Sequence, residues 1–223
     1  MPVFYEHIND FAKIAIWHIA GEKNFFLRRV PLQRAITHPH KQLQHLAGRY
    51  LLQYLYPDFP YHLIEIADTR KPYLPNEEYH FSISHCGDFA AVIVSKDHRV
   101  GIDIELVTPK VEKIKHKFLN EEELSVVSRQ LPGGDTESII QPINQLTLSW
   151  CCKEAVFKWY GAGGVDFKEH IHLDIAKQNG NIINCVFTKD ENTTLEIHHK
   201  YFDGLCLAWV ATRSGDPVGG ILA

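Results

Sequence analysis

Residues 79–106 decide the fold, and they read YHFSISHCGDFAAVIVSKDHRVGIDIEL. Short apolar stretches rich in β-branched residues predict three strands here, at Tyr79 to Ser84, Phe89 to Ser95 and Val100 to Leu106. The polar turn Lys96-Asp97-His98-Arg99 separates the last two strands. We place a boundary between two lobes at this turn, with residues 1–98 in an N-terminal lobe and residues 99–223 in a C-terminal lobe.

Helices are predicted on both sides of these strands. From Pro39 to Tyr56 the apolar side chains recur at i, i+3, i+4 and i+7, which is typical of an amphipathic helix. The other predicted elements are strands at Phe11 to Ala20 and Leu63 to Ala67, helices at Val111 to Gln130 and Ser149 to Tyr160, a loop around Pro132 to Glu137, and three final strands of which the last is Leu205 to Thr212. This order predicts an α+β fold of two similar, pseudo-duplicated lobes, each a small, mostly antiparallel sheet packed with helices.

Composition excludes several classes of protein. The chain has 223 residues, of which 45% are hydrophobic, so it can bury a sizeable core and is not a disordered protein. A net charge of −4 argues against a broad basic face for nucleic acid. The 5 cysteines contain no C-x-x-C pair, and the 14 histidines lack the paired spacing of a zinc site. Because no signal sequence or membrane-length apolar run is apparent, we expect a cytoplasmic protein without membrane association.

The strand from Val100 to Leu106 carries two carboxylates on one face. Alternate residues enter the core, so Gly101, Asp103 and Glu105 share the opposite face. The two acidic Cα atoms would lie about 6.7 Å apart, which lets both carboxylates reach one cation, and Gly101 leaves open space beside them. All-oxygen ligation favours magnesium over zinc. A solvated strand face explains the same pattern equally well.

The predicted helix at residues 149–160 carries a second polar pattern. Trp150, Glu154 and Lys158 recur every four residues and so line one helix face, with Lys153 adjacent. A third carboxylate and two ammonium groups could converge there. Taken alone, this pattern is better explained by an ordinary Glu to Lys pair on a helix surface.

Basic and hydroxyl side chains in the first half are candidates for binding phosphate. Ser84 and His85 end a strand, and Gly87 allows close approach of a ligand. A Ser/His hydrolase is disfavoured because neighbouring strand residues point to opposite faces and no G-x-S-x-G elbow is present. Arg49 lies in a basic stripe of the first helix, and Lys71 precedes a proline on a loop. Each of these charges taken alone is most often a solvated one.

Together, three segments resemble the 4′-phosphopantetheinyl transferase superfamily, in its two-lobed, surfactin-synthetase-activating branch. Residues 81–87 (FSISHCG) resemble the family's F-N-I-S-H-S-G stretch, residues 100–105 (VGIDIE) its (I/V)-G-I-D-I-E strand, and residues 150–158 (WCCKEAVFK) its W-x-x-K-E-x-x-x-K helix. Their order and spacing also agree with the family. Weaker similarities are Lys117-Phe118-Leu119 with Glu123 to R-F-F-x-x-x-E, Leu46 to Arg49 to L-x-G/S-R, and Lys71-Pro72 to the G-K-P loop.

The chain departs from the family pattern at several of these motifs. Ser82 replaces the usual asparagine, Leu119 replaces the second aromatic residue, and Arg70 stands where glycine commonly precedes Lys-Pro. The glycine turn at residues 161–164 lacks the usual lysine. The acidic residues and Lys158 are intact.

The resemblance implies an enzyme that transfers 4′-phosphopantetheine from coenzyme A to a serine of an apo acyl or peptidyl carrier protein, releasing adenosine 3′,5′-bisphosphate. It implies a magnesium ion, or manganese, held by Asp103, Glu105 and Glu154. Glu154 and Lys158 would be catalytic, Glu154 as the base and Lys158 as the group that offsets phosphoryl charge. The residues expected to bind coenzyme A are Arg49, Lys71, Ser84, His85, Lys153 and Lys158. We expect a monomer, since two lobes in one chain can form the cleft internally.

Two other functions stay open from the residues. One is a magnesium-dependent phosphodiesterase, in which the same acidic residues activate water and coenzyme A is only cleaved. The other is a noncatalytic module that binds coenzyme A or a carrier protein. The sequence does not identify the carrier protein.

Overall fold

The computed structural model describes residues 3–20, 23–32, 35–129 and 136–215. Elements of the first half are β1 (Tyr5–Ile8), β2 (Lys13–His18), α1 (Lys23–Leu27), α2 (Pro39–Leu55), β3 (Glu65–Ile66), β4 (Pro72–Tyr73), β5 (His80–Cys86) and β6 (Phe89–Ser95). Elements of the second half are β7 (His98–Leu106), α3 (Lys115–Phe118), α4 (Glu121–Arg129), α5 (Thr136–Tyr160), α6 (Phe167–His170), β8 (Ile171–Leu173), β9 (Ile182–Phe187), β10 (Thr193–Phe202) and β11 (Leu205–Arg213). Short 3₁₀ turns lie at Tyr61–Leu63, Pro109–Lys113 and Ile175–Lys177.

Two antiparallel sheets form the centre of the molecule. The first has the strand order β1-β2-β6-β5, the second has the order β7-β11-β10-β9-β8, and β3 and β4 form a separate hairpin. The prediction of an α+β fold with antiparallel sheets is confirmed. Among the helices in the described ranges, none combines the length and the hydropathy that a membrane span requires.

The core is arranged in four layers. Helix α2 covers the outer face of the first sheet, α5 covers the outer face of the second, and the inner faces of the two sheets pack on each other. This last contact joins apolar residues of β2 and β6, such as Ile14 and Ile93, to those of β7, such as Ile102 and Ile104. The chain passes from one sheet to the other at residues 96–97. This inner cluster contains residues from both predicted lobes. The division of the chain between residues 98 and 99 stays a prediction.

Strands β5 and β7 are neighbouring edge strands of the two sheets. The backbone N–H of Ile102 donates to Ser82 Oγ at 3.3 Å, and that of Leu106 donates to Cys86 Sγ at 3.3 Å. Side chains of β5 therefore satisfy backbone donors of β7 where no backbone ladder joins the strands. The motif residues of β5 thus lie directly beside those of β7.

The prediction of one continuous helix from Val111 to Gln130 is wrong. It is interrupted at Leu119, whose backbone is extended, and α4 begins after Asn120. The side chain of Asn120 accepts from Glu123 N, and the Glu123 carboxylate accepts from Asn120 N, both at 2.9 Å. This reciprocal pair is a capping box, which fixes a new helix start. The predicted loop around Pro132 to Glu137 lies largely outside the described residues, and α5 begins at Thr136.

Lys153 does not face the other motif residues of α5. Its side chain has no exposed area, and its ammonium donates to Glu123 Oε2 at 2.7 Å and to the carbonyls of Phe167 and Ile171 at 2.9 and 2.7 Å. The second Glu123 oxygen accepts from Leu173 N at 2.9 Å. Because these contacts use all three ammonium donors, the prediction that Lys153 binds the cosubstrate is replaced by a structural role. It ties α5 to α4 and β8.

Gly101 lets α5 approach β7 closely. A Cβ atom on this residue would lie 2.1 Å from the carbonyl oxygen of Ala155 and 2.5 Å from the amide nitrogen of Trp159. The expectation that Gly101 leaves open space is therefore wrong, since the backbone of the helix fills that space. Any side chain at this position has to push the helix away from the strand.

We expect Gly101→Ala to lower the free energy of unfolding by about 3 kcal/mol, because both contacts are with helix backbone that cannot rotate aside. Gly48→Ala is the matched control, since its Cβ would meet only the Ile83 side chain, at 2.8 Å. Its cost should be smaller, because a side chain can move and alanine favours the helix. Chemical denaturation of both variants checks this. Equal losses would contradict the close-packing argument.

Candidate active site

A buried carboxylate, a hydroxyl and an ammonium meet where β5, β7 and α5 pack together. Asp103 is 2% exposed, and its Oδ1 accepts from Ser84 Oγ at 2.7 Å and from Lys158 Nζ at 2.5 Å. The Lys158 ammonium also donates to Ser84 Oγ at 2.9 Å. The second oxygen, Asp103 Oδ2, is buried without a hydrogen-bond partner among the described residues. An unpaired buried carboxylate oxygen of this kind is costly unless something else binds it.

Glu105 lies two residues farther along β7 and is held from two sides. Trp150 Nε1 donates to its Oε1 at 3.0 Å, and Cys86 Sγ donates to its Oε2 at 3.2 Å. Burial raises the pKa of Cys86 to about 11, which keeps the thiol protonated and able to donate. Burial and the charge of Asp103 raise the pKa of Glu105. Trp150 and Cys86 are therefore positioning residues for this carboxylate.

Glu154 supplies the third carboxylate, from α5. Burial, with the charges of Asp103 and Glu105, raises the pKa of Glu154 to about 7, although the Lys158 charge acts in the opposite direction. Burial alone would lower the pKa of Lys158, but Asp103 and Glu154 outweigh it and the pKa is raised. The structure therefore brings together Asp103, Glu105, Glu154 and Lys158. Three carboxylates face one ammonium, which leaves an excess of negative charge.

The chemistry of these donors fits a hard cation such as Mg²⁺. Carboxylate oxygens are its preferred protein ligands, Asp103 Oδ2 has no other partner, and a cation would relieve the mutual repulsion that raises the pKa values of Glu105 and Glu154. In the described part of the chain, no three His, Cys, Asp or Glu side chains are already arranged as ligands of a metal ion. Metal binding at this site is therefore a proposal.

A basic cavity is lined by residues of the first half of the chain. Its volume is about 340 Å³. The described residues that line it are Ile36, Lys41, His45, Arg49, Ile66, Arg70, Pro72, Ile83 and His85. The structure thus brings together Arg49, which is 5% exposed, and the exposed His85. Arg70 is also part of this lining. In the sequence it stands out only because glycine commonly precedes Lys-Pro at this position.

A second, inner cavity of about 210 Å³ continues from the basic cavity toward α5. It shares Arg70, Pro72 and Ile83 with the basic cavity and adds Lys71 and Lys158, among others. The ammonium of Lys71 donates to the carbonyl of Trp159 at 3.4 Å. Burial and the charge of Arg99 lower the pKa of Lys71 to about 8. Arg49 and Lys71 therefore belong to adjoining cavities, and Lys153 belongs to neither.

Comparison with known proteins gives matches over about half of the chain. Residues 99–210 match the family model described as the 4′-phosphopantetheinyl transferase superfamily. Enterobactin synthase component D of Escherichia coli (strain K12) is 32% identical over 132 residues, which are 53% of this chain and 54% of that protein. A candidate 4′-phosphopantetheinyl transferase of Haemophilus influenzae is 30% identical over 117 residues, 49% of this chain and 45% of its own. The chain thus spans about half the length of the curated relatives it matches. Since the family model covers half of the sequence, including the strand and the helix that supply all three carboxylates, the chain belongs to the 4′-phosphopantetheinyl transferase superfamily.

Proposed function

We propose that the chain transfers the 4′-phosphopantetheine group of coenzyme A to a serine of an apo acyl or peptidyl carrier protein. The reaction depends on Mg²⁺, or on Mn²⁺ in its place, and releases adenosine 3′,5′-bisphosphate. The observation that carries this proposal is the position of Lys158. Lys158 lines the inner cavity, and its ammonium contacts Asp103. It therefore links the two adjoining cavities to the acidic cluster.

The basic cavity suits the adenosine bisphosphate end of coenzyme A. Lys41 and Arg49 supply positive charge, and the imidazole groups of His45 and His85 supply N–H donors in the same lining. With the adenosine bisphosphate in the basic cavity, the pyrophosphate extends through the inner cavity toward Lys158. Lys71 then lies along its path.

The acidic cluster suits transfer of the phosphoryl group. Glu154 is the carboxylate of this cluster that shares α5 with Lys158, which makes it the candidate general base. Glu154 accepts the proton of the carrier serine, directly or through a water, as the serine oxygen bonds to the β-phosphorus. The bond from this phosphorus to the bridging oxygen breaks, and adenosine 3′,5′-bisphosphate leaves.

Two further groups stabilise charge during this step. The Lys158 ammonium donates to the phosphoryl oxygens as charge develops on them, and Ser84 Oγ, which contacts the same ammonium, keeps it in place. Asp103, Glu105 and Glu154 would hold a divalent cation, which would supply additional neutralisation of the pyrophosphate.

Mass spectrometry of several apo carrier proteins, after incubation with the protein, coenzyme A and Mg²⁺, tests the proposal. We expect one carrier serine to gain the mass of one phosphopantetheine, and excess EDTA to abolish the gain. Hydrolysis of coenzyme A without a carrier would instead indicate a phosphodiesterase. Binding of coenzyme A without any product would indicate a noncatalytic module, and either result would contradict the proposed transfer.

Lys158→Ala should lower kcat about a hundredfold and raise the KM for coenzyme A much less, because the ammonium acts mainly on charge that develops in the transition state. Lys110→Ala, on an exposed 3₁₀ turn, is the matched control and should leave both constants unchanged. Steady-state kinetics and the melting temperature of each variant check this. An unchanged kcat for Lys158→Ala would remove the residue from the mechanism.

A further inference from the structure

Arg70 has a backbone conformation that ordinarily favours glycine. Its φ is 67°, in the left-handed region. It lies in the β3–β4 hairpin, where Ala67 N donates to Lys71 O at 2.9 Å and Arg70 N donates to Ala67 O at 2.8 Å. These bonds describe a three-residue loop, at residues 68–70, whose last position requires a left-handed residue. Glycine would meet this requirement with less strain, so the hairpin itself gives no reason for an arginine.

Arg70 lies where the two cavities adjoin, since it lines both. None of the described residues that line either cavity is an aspartate or glutamate. Within the described part of the chain, the guanidinium makes no hydrogen bond or ion pair with another residue. An exposed, unpaired guanidinium between two cavities that lack carboxylates is suited to an anionic ligand.

The order of groups in coenzyme A indicates which phosphate reaches this position. The 3′-phosphate lies at one end of the adenosine, and the phosphate on the 5′ oxygen lies between that end and the β-phosphate that is transferred. If the 3′-phosphate occupies the basic cavity and the β-phosphate lies at Lys158, the 5′-phosphate lies where the two cavities adjoin, at Arg70.

We propose that Arg70 is a substrate-binding residue whose guanidinium binds the 5′-phosphate of the adenosine part of coenzyme A. The inference rests on the proposed function. This phosphate departs with the leaving group, so Arg70 contacts both the cosubstrate and the product adenosine 3′,5′-bisphosphate. Its backbone strain is then a local cost of placing a guanidinium at the junction.

Binding calorimetry with two nucleotides tests the assignment without depending on turnover. Arg70→Asn removes the charge and keeps a residue that tolerates the left-handed region. We expect it to weaken binding of adenosine 3′,5′-bisphosphate about tenfold or more, and to leave binding of adenosine 3′-phosphate, which lacks the 5′-phosphate, unchanged. Arg70→Lys should recover part of the loss.

Two more variants separate binding from folding and from general electrostatics. Arg70→Gly relieves the backbone strain, so it should melt no lower than the wild type and still show the loss of affinity. Arg28→Asn removes a positive charge from an exposed residue just after α1 and should bind both nucleotides normally.

The possible failures of the two proposals can be distinguished. If the wild type binds the bisphosphate and Arg70→Asn and Arg70→Gly bind it equally well, the role of Arg70 is overturned while the proposed function stands. Equal weakening for both nucleotides would also overturn it, because the contact would not involve the 5′-phosphate. If the wild type bound neither nucleotide nor coenzyme A, the proposed function itself would fail.

Discussion

The close contact between the backbones of α5 and β7 at Gly101 is the constraint on which the candidate site depends. Because the two backbones touch there, the side chains that β7 carries on this face lie directly against α5. In this arrangement Asp103 contacts Lys158, and Glu105 contacts Trp150, which lies eight residues earlier on the same helix. A side chain larger than hydrogen at position 101 would separate these pairs, because the atoms opposite it belong to helix backbone.

The periods of the strand and of the helix explain how much of this site the sequence could predict. Period-two and period-four patterns identified the faces that carry Asp103, Glu105, Glu154 and Lys158, because each pattern is set within one element. The contacts of the Lys153 ammonium could not be predicted in the same way. They are made with a carboxylate thirty residues earlier in the chain and with two backbone carbonyls later in the chain. The helix break at residue 119 and the close approach at Gly101 likewise depend on local capping and tertiary packing. The N-x-x-E pattern at residues 120–123 was an available signal for that break.

The candidate site contains residues from both halves of the chain. The carboxylates come from the second half, and the basic cavity is lined by the first half. The acidic cluster lies on β7 and α5, within the residues that match the family model. The basic lining at Arg49, Arg70 and His85 lies in the first half, before the matched residues begin. A polyanionic cosubstrate that also needs a cation would contact both parts at once. The side chains of β5 that accept hydrogen bonds from the backbone of β7 hold these two parts next to each other.

In the proposed function, one continuous site spans the acidic cluster and the basic cavity. A crystal structure of the protein with coenzyme A and Mn²⁺ tests this arrangement, because anomalous scattering locates the metal independently of the cosubstrate. We expect a manganese peak among Asp103, Glu105 and Glu154, with the adenosine bisphosphate between Arg49 and Arg70 and the pyrophosphate reaching Lys158. Manganese bound away from these carboxylates, or coenzyme A bound outside the two cavities, would contradict it.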